Sequence, residues 1–151
     1  PLNTLSRMSP PGFEQENSPD LLLRSPLRVE VDGSLRMNSV LPEGSDAYLM
    51  VGSPADCQKA ASQAAQHALS ELGESKPVFA LVLVDVAWKM LMQAQPGLEI
   101  QAVQEILGPE VPIAGGYTLG QILPPYGRNI RSRFMNQHIV VAVFSEMEKP
   151  K

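Results

Sequence analysis

Residues 111–122 read Val-Pro-Ile-Ala-Gly-Gly-Tyr-Thr-Leu-Gly-Gln-Ile, which places Gly115, Gly116 and Gly120 within six positions. Glycines at that density let a backbone turn tightly and present its amides to a ligand. The spacing is neither the dinucleotide fingerprint Gly-x-Gly-x-x-Gly nor a Walker loop, because no Gly-Lys-Ser/Thr follows. The plainer reading is a strand that ends in a tight turn. Asp85 closes the apolar run 78–84, at the kind of strand end where open sheets place ligand groups. It would serve equally as the N-cap of a helix starting at Val86. Trp88, the one tryptophan, is either a packing residue or a flat wall for a ligand. Arg128, Arg131 and Arg133 form the one basic cluster; such a run holds a carboxylate or phosphate, or lies solvated in a loop.

Other chemistries lack their residues. Cys57 is the single cysteine, so no internal disulfide is open to the chain. His67 and His138 have no second His or Cys at ligand spacing, so no metal or other cofactor is expected. Ser-His-Asp catalysis has its residue types but no nucleophile elbow, and an enzyme is not expected. A formal charge of −4 and a pI near 5.1 argue against binding nucleic acid through its phosphates. The longest apolar run, 78–84, falls short of the roughly 20 residues a bilayer span needs. No charged start followed by an apolar core marks an export signal, so the expectation is a soluble, cytoplasmic protein. Pro1 is an odd first residue for a complete gene product, which suits a fragment or processed piece of something longer.

The elements that must position these residues can be read from the rest of the 151-residue chain, which is 44% apolar and 19% charged. That is the composition of an ordinary globular domain with an aliphatic core. Residues 1–26 are rich in proline and predict an extended arm with turns, either part of this domain or the end of a preceding one. Residues 27–31 alternate as a half-buried strand, Asp32-Gly33 marks a turn, and alternation resumes at Leu35, which predicts a hairpin. A second turn at 42–45 precedes a strand at 47–51. Ser53-Pro54-Ala55-Asp56 predicts a capped helix start, and Cys57, Ala61, Ala64, Ala68 and Leu72 give it a face of small residues up to Gly73. Residues 77–84 predict a central strand buried on both sides. A short helix at 86–93 and a second one striped by Ile100, Val103 and Leu107 follow, the latter stopped by Gly108-Pro109. A short strand at 111–114, a long loop and a closing strand at 139–144 complete the order, with a charged tail at 146–151. The whole predicts a mixed α/β (α+β) domain over 27–145, its buried mixed sheet covered by helices and preceded by the arm and the hairpin.

The Val-Pro-x-x-Gly run at 111–115, the aromatic Tyr117 and the Gly120-Gln121-Ile122 that follows resemble the hallmark of the FIST C-terminal region (F-box and intracellular signal transduction proteins). Asp32-Gly33-Ser34-Leu35-Arg36 with Pro42-Glu43-Gly44-Ser45 resembles that family's linker between its halves. Residues 78–89 stand where the family has a buried strand ending in Cys with a nearby Arg. Phe134-Met135-Asn136-Gln137 resembles its closing Asn-containing strand. The resemblance implies a sensory module that binds a small ligand, amino acids being favoured. It also implies partners in the FIST N-terminal half or a signalling output domain. It points to Asp85, Trp88, Gly115, Gly116, Tyr117, Gly120, Gln121, Arg133 and Asn136 as ligand-binding residues. Asp85 stands for the family's Cys, Trp88-Lys89 for its Arg region, and Gln121 for its frequent Glu. Those departures imply an altered ligand, or an interaction module with a vestigial pocket.

Overall fold

The computed structural model describes residues 9–15, 18–41, 43–124 and 132–146. In chain order the elements are β1 (Pro11–Gln15), β2 (Ser18–Leu23), β3 (Pro26–Val29), β4 (Leu35–Met37), β5 (Ala47–Leu49), α1 (Pro54–Leu72), β6 (Pro77–Asp85), α2 (Val86–Leu91), α3 (Leu98–Leu107), β7 (Ile113–Thr118), β8 (Gln121–Leu123), β9 (Arg133–Met135) and β10 (Ile139–Ser145). They fall into two compact units. One combines Pro1–Gly52 with Leu119–His138, and the other combines Ser53–Thr118 with Ile139–Lys151. The mixture of helices and strands is the expected α/β class.

In the helix-and-sheet unit, α1 starts as its sequence predicts. Ser53 Oγ accepts from the Asp56 amide at 3.2 Å, Asp56 Oδ2 accepts from the Ser53 amide at 3.0 Å, and Pro54 fills the first turn. This reciprocal capping satisfies donors that the helix itself leaves orphaned. The buried face is Cys57, Ala61 and Ala65, one step round from the expected Ala64 and Ala68. Small side chains there let α1 lie against both α3 and β10. The sheet order is β10-β6-β7, with β6 antiparallel to β10 and parallel to β7. Ala80, Val82 and Val84 join one apolar cluster with Cys57, Ala61, Ala102, Val103 and Leu107 of the helices. Leu81 and Leu83 point to the other face and are only half-buried. The central strand is therefore fully covered on one face rather than both, because the helices stand on one side.

The glycine pair does not form the expected turn. β7 runs straight through Gly115 and Gly116 to Thr118, and the chain turns later, at Gly120 with φ +138°. The reason is a close approach: a Cβ on Gly115 would sit 1.7 Å from the Val82 carbonyl oxygen on the neighbouring strand. Glycine is needed there to let two backbones pass, not to bend one.

The second unit is built of strands. β2-β1-β5 form an antiparallel sheet, so residues 11–15 and 18–23 are regular structure rather than the extended arm their prolines suggested. The predicted hairpin is present as β3–β4, turning at Gly33 with φ +87° and with Asp32 Oδ1 accepting from the Ser34 amide at 3.0 Å. Within the span taken as a long loop, Gln121–Leu123 and Arg133–Met135 pair as β8–β9. Three-residue strands are too short to show alternation, which is why the sequence hides them.

Candidate functional site

The end of β7 carries the densest chemistry of the helix-and-sheet unit. It is an edge strand of its sheet, and residues 114–117 are exposed. A pocket of about 210 Å³ opens there, lined by Val82, Val84, Ile100, Ile113, Ala114, Gly115, Gly116 and Tyr117. That volume suits a ligand smaller than the drug-sized molecules that fill pockets of roughly 300–1,000 Å³. The walls are aliphatic, and Tyr117 supplies the polar handle.

Tyr117 is held from behind. Its hydroxyl donates to Glu99 Oε1 at 2.5 Å, and Lys89 Nζ lies 5.2 Å from the centre of its ring. Burial, then the hydrogen bond and charge of Glu99, push the Tyr117 pKa up to about 12. The phenol therefore keeps its proton and commits it to Glu99. Its oxygen lone pairs remain as acceptors, which favours a ligand that brings N–H or O–H donors. Glu99 itself is 0% exposed, and its Oε2 has no hydrogen-bond partner among the described residues. A buried carboxylate oxygen without a donor is costly, and such groups concentrate where function retains them. Across the same core, burial and then the charges of Asp56 and Glu99 push the Cys57 thiol up to about 11.

Asp85 and Trp88 do not join the pocket wall. Asp85 caps α2, its Oδ1 accepting from the Ala87 amide at 3.0 Å, and Trp88 is 5% exposed within the apolar cluster. Both take the packing and capping roles weighed for them, since a helix that follows directly on a buried strand needs both. Among the described residues no group of three His, Cys, Asp or Glu is placed to hold a metal ion. No helix is long and apolar enough to cross a membrane.

The remaining candidates, Gly120, Gln121, Arg133 and Asn136, come together in the strand unit. Asn136 is 0% exposed and works as a buried clamp. Its Oδ1 accepts from Asn38 Nδ2 at 2.7 Å and from the Ser25 amide at 3.4 Å, while its Nδ2 donates to the Leu119 carbonyl at 3.3 Å. One amide thus joins the β2–β3 link, the end of β4 and the start of β8. Gln121 is also buried, its Nε2 donating to the His138 carbonyl at 3.5 Å. A Cβ at Gly120 would meet the Phe134 ring at 2.5 Å and Asn136 Nδ2 at 3.0 Å, so only glycine fits beside the clamp. Arg133 lies on β9 opposite Leu123, while Arg128 and Arg131 lie outside the described residues.

Two important residues escaped the sequence reading. Glu99 was visible: it shares a stripe with Ala102, Val103 and Leu107, so a carboxylate stood on the buried face of α3. Ile100, which was placed on that stripe, turns out to line the pocket. Arg24, buried with its Nη1 donating to the Phe134 carbonyl, gave no signal, because the segment around it read as an irregular arm.

No curated protein and no solved structure matches the chain. The FIST C domain model does match, over residues 2–124, a span that takes in the proline-rich start, the glycine-bearing strand β7 and its pocket. With most of its length covered by that match, the chain belongs to the FIST C domain family, a family associated with signal transduction.

Proposed function

We propose that this chain is the small-ligand-sensing module of a cytoplasmic signal transduction protein, acting without catalysis, and that the pocket at β7 takes an amino-acid-like molecule. The carrying observation is the pocket itself. Aliphatic walls end at a tyrosine whose O–H is already engaged in a hydrogen bond to a buried glutamate, so the polar end of the site accepts hydrogen bonds. An ammonium or amide N–H meets that acceptor, and an aliphatic side chain meets Val82, Val84 and Ile100. The acidic group that the family resemblance led one to seek at Gln121 is supplied within this unit by Glu99. Occupancy would pass to a FIST N-terminal half or an output domain through β7 and α3, which Tyr117 and Glu99 join.

The test is a melting screen of the chain against amino acids, organic acids and nucleotides. A ligand at one hundred times its dissociation constant adds about 2.7 kcal/mol, several degrees for a domain of this size. Gly116→Val has open space for its side chain at the pocket and should abolish the ligand shift while keeping the fold. An undiminished shift in that variant places the ligand elsewhere. No shift from any compound moves the reading to an interaction module with a vestigial pocket.

A further inference from the structure

The unit that carries the pocket also holds two opposite charges that do not meet. Glu99 stands in the first turn of α3, fully buried, and Tyr117 donates to one of its carboxyl oxygens. Its other oxygen, Oε2, has no hydrogen-bond partner among the described residues. Lys89, in the last turn of α2, reaches over the Tyr117 ring, its Nζ 5.2 Å from the ring centre. The ion pairs formed among the described residues are those of Glu30 with Arg28 and Arg36, so neither Glu99 nor Lys89 has a counter-ion there. One tyrosine thus carries a carboxyl group at its hydroxyl and an ammonium over its face.

A buried carboxylate without a cation is costly, and its field reaches further through apolar surroundings than through water. Tyr117 hands that field to the pocket it lines, because a hydroxyl that donates to a carboxylate is polarised and its oxygen becomes a better acceptor. Burial, then the Glu99 bond, raise the Tyr117 pKa to about 12, so that oxygen acts as a hydroxyl and not as a second anion. Lys89 is exposed, and the weak pull of an aromatic face leaves its three N–H donors open to an anion. From this arrangement we infer that Glu99 and Lys89 give the pocket at β7 a negative and a positive side, so that it selects a zwitterion, a free amino acid with an aliphatic side chain. The ligand's ammonium docks on the Tyr117 oxygen backed by Glu99, its carboxylate pairs with Lys89, and its side chain lies on Val82, Val84 and Ile100. Lys89 touches the ligand; Glu99 acts through Tyr117 and is a positioning residue. The inference rests on the pocket binding a small molecule and adds the requirement for both charges.

The experiment titrates the whole chain with valine by calorimetry at neutral pH, with alanine and leucine bracketing its size. Isovalerate, which lacks the ammonium, and valinamide, which lacks the carboxylate, are titrated beside it. Losing either charge should weaken binding about tenfold or more, the value of one charge-assisted hydrogen bond. Lys89→Gln should weaken valine and isovalerate about tenfold and leave valinamide unchanged. Glu99→Gln, which keeps the volume and the acceptor for Tyr117, should weaken valine and valinamide and leave isovalerate unchanged. A merely structural role would weaken all three ligands alike, so the opposed patterns of the two variants separate charge from fold. If Glu99→Gln does not fold, the ligand series and Lys89→Gln still decide the matter. Valine bound no more tightly than its two analogues, or variants that affect all three equally or not at all, overturn the charge assignment and leave the pocket standing. Failure of the three amino acids where another compound binds has the same meaning. Failure of every compound removes the pocket at β7, and this inference with it.

Discussion

The two units of this chain are held together by different chemistry. The helix-and-sheet unit buries Ala61, Ala65, Ala80, Val82, Val84, Trp88, Met92, Val103 and their neighbours in one apolar cluster. In the strand unit, among the described residues, the buried apolar side chains are Phe13 and the small rings of Pro10 and Pro26, while Arg24, Gln121 and Asn136 are buried polar ones. The first unit gains its stability mainly from area removed from water, about 1.5–3 kcal/mol for each large side chain. The second depends on hydrogen bonds that gain little when made and cost much when half-broken. Polar frames open with less loss of buried apolar area, so local opening is expected to begin in the strand unit.

The largest test of the contrast lies where the two strands of the first unit approach closest. Gly115→Ala forces a methyl group into the Val82 carbonyl and should cost about 3 kcal/mol or more in denaturant unfolding, against at most about 0.5 kcal/mol for Gly116→Ala, which meets nothing within 4 Å. Equal costs at the two positions would show that β6 and β7 do not pair in this register. Next come one deletion in each unit. Met92→Ala, at 1% exposure, should cost about 2–5 kcal/mol through its cavity. Asn136→Ala should cost a comparable few kcal/mol although it removes almost no apolar area, because Asn38 Nδ2 and the Leu119 carbonyl lose their buried partner. A cost below about 0.5 kcal/mol for Asn136→Ala would dissolve the comparison.

The thiol gives a third test. Cys57, buried with its pKa raised from about 9 to about 11, should react with iodoacetamide at pH 8 about one hundredfold more slowly than an exposed thiol, from its smaller thiolate fraction alone. Its folded-state value lies above the unfolded one, so its contribution is fully present below pH 9 and is lost as the pH rises through 11. Cys57→Ala should flatten the alkaline fall in melting temperature, and an unchanged fall would assign it to another group. The smallest effect is expected at the start of α1, where Ser53→Ala should cost about 1 kcal/mol, read by chemical denaturation.

The same contrast decides how much was legible in advance. Helix α1, its capping box, strand β6 and the hairpin β3–β4 were readable because each carries a local rule: a cap, an apolar run, or an Asp-Gly turn. The two glycines were noticed for the right reason, their missing side chains, but their use is a contact with Val82, thirty-three positions earlier in the chain. Half of the site was read in the same way. Tyr117 stood out beside the glycines, whereas Glu99, eighteen positions before it, needed the phase of α3 to be right by one residue. In the strand unit, beyond that hairpin, almost nothing local was available. Proline-rich strands and three-residue strands have no period, and the meaning of Asn136 resides in partners 98 and 111 positions away.

By itself, then, the sequence determined the α/β class, the family, the helix starts and the candidate segment at 111–122, because propensity, capping and hydrophobic period act over a few residues. Only the tertiary structure decided that Gly115 serves a backbone crossing, that Trp88 packs while Tyr117 faces a pocket, and that Glu99 stands behind it. It alone also brought Arg24 to the Phe134 carbonyl. Those outcomes depend on which distant backbone or charge lies opposite a side chain, and burial and hydrogen bonding are fixed by that neighbour rather than by position along the chain.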